Sequence, residues 1–101
     1  MSLNGKQKRF LRAMANSIKA VVTIGKDGIS DNVIDSINDY LDAHELIKIS
    51  VLKTCDIELN EILIEVLRST NSELVQTIGK TIILYKPSKE RKIILPWILM
   101  M

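Results

Sequence analysis

The sequence predicts an α/β (α+β) domain of order α-β-α-β-α-β-β, its helices packed on a small four-stranded mixed sheet. Three observations lead to that class. Apolar residues recur at helical spacing in three separate stretches. Between and after them lie short runs rich in Val, Ile and Thr, each the length of a single strand. The last two runs are parted only by Gly79-Lys80, a two-residue hairpin turn with glycine in its first central place.

Asn4 is the predicted N-cap of a first helix reaching about residue 17, with Phe10, Leu11, Met14 and Ile18 on its apolar face. Lys8 and Arg12, one turn apart, project from the opposite face, with Arg9 close by. A strand follows at 21–24, and the loop Gly25-Lys26-Asp27-Gly28 leads out of it. Ser30 caps a second helix to about residue 43, burying Val33, Ile34, Ile37, Tyr40 and Leu41 and wetting Asp35, Asp39 and Asp42. Residues 46–52 form a second strand, with Ile47, Ile49 and Val51 alternating against Lys48 and Ser50. Asp56 is the predicted cap of a third helix to about residue 69, its core face being Leu59, Ile62, Leu63, Val66 and Leu67. Strands near 74–78 and 81–85 complete the sheet. Thr23-Ile24-Gly25-Lys26 recurs as Thr77-Ile78-Gly79-Lys80. Four residues are too few for a duplication, but each copy sets a lysine on a glycine turn at a strand end, and both are expected at one edge of the sheet.

A chain of 101 residues and 11.4 kDa supports one domain with a modest core. Its net charge of +2 hides a strong segregation. Residues 1–26 carry Lys6, Lys8, Arg9, Arg12, Lys19 and Lys26 and no acid; residues 27–76 carry eleven acids against Lys48, Lys53 and Arg68; residues 77–101 carry five cations against Glu90. A fold that joins the two ends therefore has one cationic side. The lone Cys55 excludes an internal disulfide and fits a reducing compartment. No apolar run approaches the roughly 18 residues of a membrane span, and the tail from 93 is broken by Pro96. Asn16, Ser17 and Lys19 interrupt any signal-type apolar core in the basic N-terminal stretch, so a cytoplasmic protein (or one in an organelle matrix of similar character) is expected. His44 and Cys55 are single residues of their kinds and make no familiar zinc set. A nucleophile pair would require them to meet beside an orienting partner. Neither a Walker loop nor a dinucleotide fingerprint occurs. No catalytic residue, metal or cofactor is expected.

The Gly25–Gly28 loop is the most informative feature. Glycines at both ends free the backbone to turn and let a ligand come close; Lys26 adds charge; and a helix start behind favours anions. That suits a phosphate-bearing partner, with RNA as the first candidate. Lys80 on its own glycine turn extends the cationic surface, ahead of Lys86. Aromatic residues make up only 4% of the chain, which favours shape and backbone recognition of folded RNA over base stacking.

In these motifs the chain resembles the YhbY-like, single-domain members of the CRM group (chloroplast RNA splicing and ribosome maturation). The pieces are Leu3-Asn4 with Lys6-Gln7-Lys8, then Phe10-Leu11-Arg12, Ile24-Gly25-Lys26-Asp27-Gly28 and His44-Glu45-Leu46-Ile47-Lys48. They continue with Ile78-Gly79-Lys80, Ile83-Leu84-Tyr85-Lys86, and Lys89-Glu90-Arg91-Lys92-Ile93 running to Leu95-Pro96. The resemblance implies one CRM/YhbY-like RNA-binding domain over 1–96, followed by an apolar C-terminal tail at 97–101. It also implies a fold similar to the C-terminal domain of bacterial translation initiation factor three and a glycine-bounded loop like that of KH domains. Bacterial members of the family associate with precursors of the large ribosomal subunit, and plant relatives act in intron splicing. Ala20 stands where a proline is common, and Trp97-Ile98-Leu99-Met100-Met101 has no counterpart.

The expected function is non-catalytic binding of large-subunit ribosomal RNA, or its precursor particle, during ribosome assembly. The expected contact residues are Lys6, Lys8, Arg9, Arg12, Gly25, Lys26, Asp27, Gly28 and Lys80. A second reading is a protein-interaction module that docks on a ribosomal protein or processing factor through its acidic helices or its apolar tail. Through that tail, self-association is also open.

Overall fold

The computed structural model describes residues 3–95. Its elements are α1 (Gly5–Ala15), β1 (Ala20–Ile24), α2 (Asp31–His44), β2 (Leu46–Val51), α3 (Leu59–Thr70), β3 (Glu73–Ile78) and β4 (Thr81–Tyr85), in the predicted order. The sheet order is β1-β2-β4-β3. β1 pairs parallel with β2, and β4 pairs antiparallel with both β2 and β3. Three strands thus run one way and β4 runs back between two of them. The tail at 97–101, and with it the expected docking or self-association through that segment, lies outside the described residues.

Capping chemistry starts two of the helices. Asn4 accepts the Gln7 N–H at 2.8 Å, and the Gln7 side chain accepts the Asn4 N–H at 3.0 Å. Ser30 accepts the Val33 N–H at 3.2 Å and opens α2 as its sequence predicts. α3 departs from prediction: its N-cap is Glu58, with no side-chain cap, and not Asp56. The chain is still turning at that point, because the Cys55 N–H donates to the Leu52 carbonyl at 3.0 Å. The first helical bonds then run from Glu61 and Ile62 back to the Glu58 carbonyl.

α2 and α3 cover one sheet face, where Val22, Ile24, Ile37, Leu41, Ile47, Ile49, Val51, Ile62, Val66, Ile82 and Leu84 form the larger core. α1 covers part of the other face, over Leu46, Val75, Ile83 and Tyr85. Burying each such Ile or Leu is worth about 1.5–3 kcal/mol. The stripe of α1 differs from the predicted one. Gln7, Leu11 and Ala15 are its buried residues, whereas Phe10 and Met14 are each 38% exposed. The capping box folds Gln7 inward, and the face centred on Leu11 then runs 7–11–15. Phe10 and Met14 move to one flank. Lys8 and Arg12 move to the other, half-buried there rather than opposite the core. In α2, Tyr40 is also 38% exposed and stacks on His44, the ring centroids 6.2 Å apart.

Glu45 joins the end of α2 to β2 and is fully buried, with a φ of 67°. Its carboxylate is surrounded by donors from the segment after β4. One oxygen accepts the N–H of Ser88 at 2.8 Å, the N–H of Lys92 at 2.9 Å and the Ser88 hydroxyl; the other accepts the Ile93 N–H at 2.7 Å. Its carbonyl accepts the Lys86 N–H at 2.9 Å, and Lys92 Nζ donates to the Ala43 carbonyl at 2.8 Å. Burial alone would push this carboxyl up. The Ser88 hydroxyl and the N–H groups of Ile93, Ser88 and Lys92 outweigh burial and bring its pKa from 4.5 to about 2. A pKa lowered on folding means stability that is present above the unfolded value and lost as pH falls through the folded one. Urea titrations should therefore show the protein losing on the order of 2–3 kcal/mol from this group between about pH 5 and 2. Glu45→Gln should be destabilised at pH 7 by a similar amount and show a flatter acid limb.

Candidate nucleic-acid interface

Because β1, β2 and β3 run together, the segments that leave them all emerge at one end of the sheet. The register fixes this directly: Ile24 lies opposite Val51, Ser50 opposite Thr81, and Thr81 opposite Ile78. Backbone bonds fasten the three exits, from Leu52 N–H to the Ile24 carbonyl and from Val51 N–H to the Lys80 carbonyl, both at 2.8 Å. Both glycine-lysine turns therefore stand at the same edge, as the repeated tetrapeptide suggests. β1 carries the first and the β3–β4 hairpin the second, two to three strand spacings or about 10–14 Å apart. Lys53, exposed on the segment after β2, emerges between them.

The Gly25–Gly28 loop is a tight turn closed by the Gly28 N–H on the Gly25 carbonyl at 3.0 Å. Lys26 and Asp27 form its exposed tip, while Gly28 is buried beneath. Gly28 has φ 67°, and a Cβ there would meet Ile57 Cδ1 at 2.7 Å, so both backbone and space require glycine. The N–H groups of Lys26 and Asp27 have no protein acceptor among the described residues. The start of α2, by contrast, already holds oxygen acceptors, with the Ser30 hydroxyl on Val33 and Asp31 in the first turn. Phosphate contact here falls to Lys26 and the N–H groups of the tip rather than to the helix end. At the second turn Gly79 has φ 57° with open space around it, and Lys80 is exposed beside it.

α1 adds the third cationic element. Its Met14 flank lines an apolar cavity of about 530 Å³ with Val21, His44, Leu46 and Ile93, at the end of the sheet where β2 starts. Helical spacing puts Lys8 and Arg12 on the opposite flank, away from that cavity. Arg9 points outward, and Lys6, one turn before Phe10, lies on the Met14 side, away from the turns. The strand register thus brings Gly25, Lys26, Asp27, Gly28 and Lys80 to one end of the sheet, while Lys8 and Arg12 share the α1 flank opposite Met14 and Lys6 lies on the Met14 side. Two residues that the sequence analysis did not single out stand with them. Lys53 follows the end of β2, and Lys48, half-buried, lies on the α1 side of that strand. Lys48 was visible as the polar member of the β2 alternation. Among the described residues the ion pairs are Arg68–Glu65 at 3.6 Å and Lys92–Glu90 at 3.7 Å, so none of the gathered cations has a carboxylate partner. The acids of α2 and α3 lie on the other side of the sheet. His44 and Cys55 are separated in role, one stacked on Tyr40 and the other buried in the larger core. Among the described residues no cluster of His, Cys, Asp and Glu could hold a metal ion.

These features define a three-layer α+β domain with lysines at the glycine-turn end of its sheet and basic residues along one flank of α1. The family model for the CRS1 / YhbY (CRM) domain matches residues 3–86, and the chain belongs to that family. It is 49% identical over 90 residues to Probable RNA-binding protein YqeI of Bacillus subtilis (strain 168), covering 89% of this chain and 94% of that one. It is 41% identical over 96 residues to an RNA-binding protein of Haemophilus influenzae, covering 94% and 96% of the two chains. The solution structure of the hypothetical protein SAV1595 from Staphylococcus aureus superposes with a TM-score of 0.78 at 46% identity, over 93% of this chain and 99% of that one.

The two positive-φ glycines should separate in a stability measurement. In urea denaturation Gly28→Ala should cost about 2–3 kcal/mol, strain and collision together, and Gly79→Ala only about 1. Adding Ile57→Val, which removes the colliding methyl, should recover part of the Gly28→Ala loss and none of the Gly79→Ala loss.

Proposed function

We propose that this protein is a non-catalytic RNA-binding protein that docks on folded RNA with the glycine-turn end of its sheet. Its target on this reading is large-subunit ribosomal precursor RNA, in the cytoplasm, during assembly. One observation carries the RNA reading: Lys26, Lys53 and Lys80 come from three separate segments of chain to one end of the sheet, and these three, like Lys8 and Arg12 on the free flank of α1, have no carboxylate partner among the described residues. Unpaired cations converging on one surface are the electrostatic footprint of a polyanion site. The relatives named as RNA-binding proteins support RNA as that polyanion. The ribosomal target rests on the family resemblance.

Phosphates would be held by the lysine and arginine side chains and by the free N–H groups at the Lys26-Asp27 tip. Such contacts fix orientation without reading sequence. The few aromatic side chains leave shape and backbone as the means of recognition.

A second reading has its own observation. Between α2 and α3 runs a groove of about 420 Å³ with Ile29, Ile34 and Ile57 along it and Asp31, Glu61 and Glu65 beside them. An apolar floor with an acidic rim fits a basic segment of a ribosomal protein; the groove begins beside the Gly25–Gly28 loop, where Ile57 lies against Gly28, and runs from there along α3.

Binding to a folded large-subunit RNA fragment across a salt series tests the first reading. One phosphate per gathered cation predicts a slope of log affinity on log salt of about 4–5. Lys26→Ala and Lys80→Ala should each weaken binding by roughly fivefold to tenfold and lower that slope by about 1. Asp42→Lys, in the last turn of α2 at the opposite end of the sheet from the turns, should leave it unchanged. Absence of binding at low salt, or a slope near zero, would remove the RNA reading and favour the groove.

A further inference from the structure

The α1 side of the sheet is only partly covered, and near the glycine turns its open part carries an ordered row of hydroxyls that ends, on β3, at the exposed Ile78. Alternation along β1, β2 and β4 sends Val22, Ile24, Ile49, Val51, Ile82 and Leu84 to the larger core. The intervening residues face the α1 side. Register then sets Thr23 opposite Ser50 and Ser50 opposite Thr81, so that three hydroxyls stand in one row across three adjacent strands. Two strand spacings make the row about 10 Å long. Thr23 is exposed, Ser50 and Thr81 are half-buried, and none of the three hydroxyls has a hydrogen-bond partner among the described residues. Ser17, Ser69, Thr70 and Ser88 have protein partners, whereas Ser36, Thr54 and Thr77, all exposed, are like the row without one among the described residues; what sets the row apart is its alignment across three strands.

The setting of the row matters as much as its content. Beyond one side of it stand the Lys26 and Lys80 turns; on the other, Lys48 faces the same way one register step back; and α1, with Lys8 and Arg12 on its free flank, packs on the same face of the sheet. Cations therefore border a strip of uncharged groups, each able both to donate and to accept. A duplex has that pattern in reverse, with phosphates on either side of a groove. In A-form RNA the wide, shallow minor groove displays 2′-hydroxyls, which are likewise donors and acceptors and are missing from DNA.

We propose that Thr23, Ser50 and Thr81 form a 2′-hydroxyl-reading strip for the minor groove of A-form RNA, and that it supplies a preference for RNA over DNA. This inference rests on the RNA reading of the cationic edge and adds to it the chemical basis of discrimination. The surrounding cations hold either nucleic acid by its phosphates; the strip rewards only the one with 2′-hydroxyls.

The experiment compares duplex RNA with duplex DNA of the same sequence across a salt series, for the wild-type chain and for Thr23→Val/Ser50→Ala/Thr81→Val. The β-branched replacements suit strands. Wild type should prefer RNA by roughly tenfold or more, and the variant should bind both equally, with its salt slope unchanged because no phosphate contact is lost. A second arm leaves the protein intact and places 2′-deoxy substitutions on the RNA, which should reproduce the loss even if the variant folds poorly. Equal wild-type affinity for RNA and DNA would overturn the strip while leaving the cationic edge in place. A preference that survives in the folded variant would also overturn it. Absence of any binding to either duplex would remove the strip and the function it deepens together.

Discussion

The alternation of β2 is the constraint on which the rest of the molecule depends. That strand is bonded on both edges, to β1 and to β4, so no residue in it can rotate to suit its neighbours. Ile47, Ile49 and Val51 must all face α2 and α3, and Leu46, Lys48 and Ser50 must all face α1. A slip of one residue would bring Lys48 and Ser50 into the larger core and turn three apolar side chains outward, costing several kcal/mol from burial alone. The same register aligns the ends of β1, β2 and β3. With them it aligns the glycine turns, so the position of every proposed contact outside α1 follows from a pairing that the core enforces.

Where a choice was local, it was legible in the sequence. The Ser30 cap, the Gly79 turn and the bounds of β4 depend on residues within a few positions of one another, and each stands as predicted. Where the choice depended on packing at a distance, spacing misled. Asp56 has the chemistry of a cap, but Cys55 is drawn into the core and Ile57 lies against Gly28, so the helix cannot begin until Glu58. Phe10 and Met14 have the hydropathy of core residues, yet the reciprocal bonds between Asn4 and Gln7 turn α1 enough to put them on a flank. The glycine turns of the candidate site were readable as motifs. That Lys53 would stand between them was not, because its place follows from strand order rather than from any nearby residue.

Glu45 illustrates the limit most clearly. In the sequence it is one acid among eleven in an acidic stretch, next to the only histidine. Nothing in its neighbourhood announces burial. Its partners lie more than forty residues later, in a stretch without helix or strand, and three of its four donors to the carboxylate are backbone N–H groups that every residue but proline has. Such a bond has no side-chain signature. Its structural consequence reaches further than its immediate contacts: it holds Ile93 beside Leu46 and the Met14 flank of α1, fixing which flank of that helix is left free for Lys8 and Arg12.

A net charge of +2 would ordinarily argue against a polyanion partner, and the fold explains why that argument fails here. The sheet separates the charges, with cations about its α1 side and one end and carboxylates on the helices behind. At a Debye length of about 8 Å in physiological salt, a surface is felt by its own charges and hardly by those across the molecule. The total is therefore irrelevant to contact. Charge and hydroxyls then divide the work on the proposed face. Phosphate neutralisation gives affinity that is strong, salt-sensitive and indifferent to the sugar, because both nucleic acids present the same anion. Hydroxyl pairing gives little affinity, since water offers nearly as good a partner, but the little it gives depends on the sugar. Neither alone makes a selective binder. Set a strand spacing or two apart on a rigid sheet, the first brings the nucleic acid down and the second decides which kind remains.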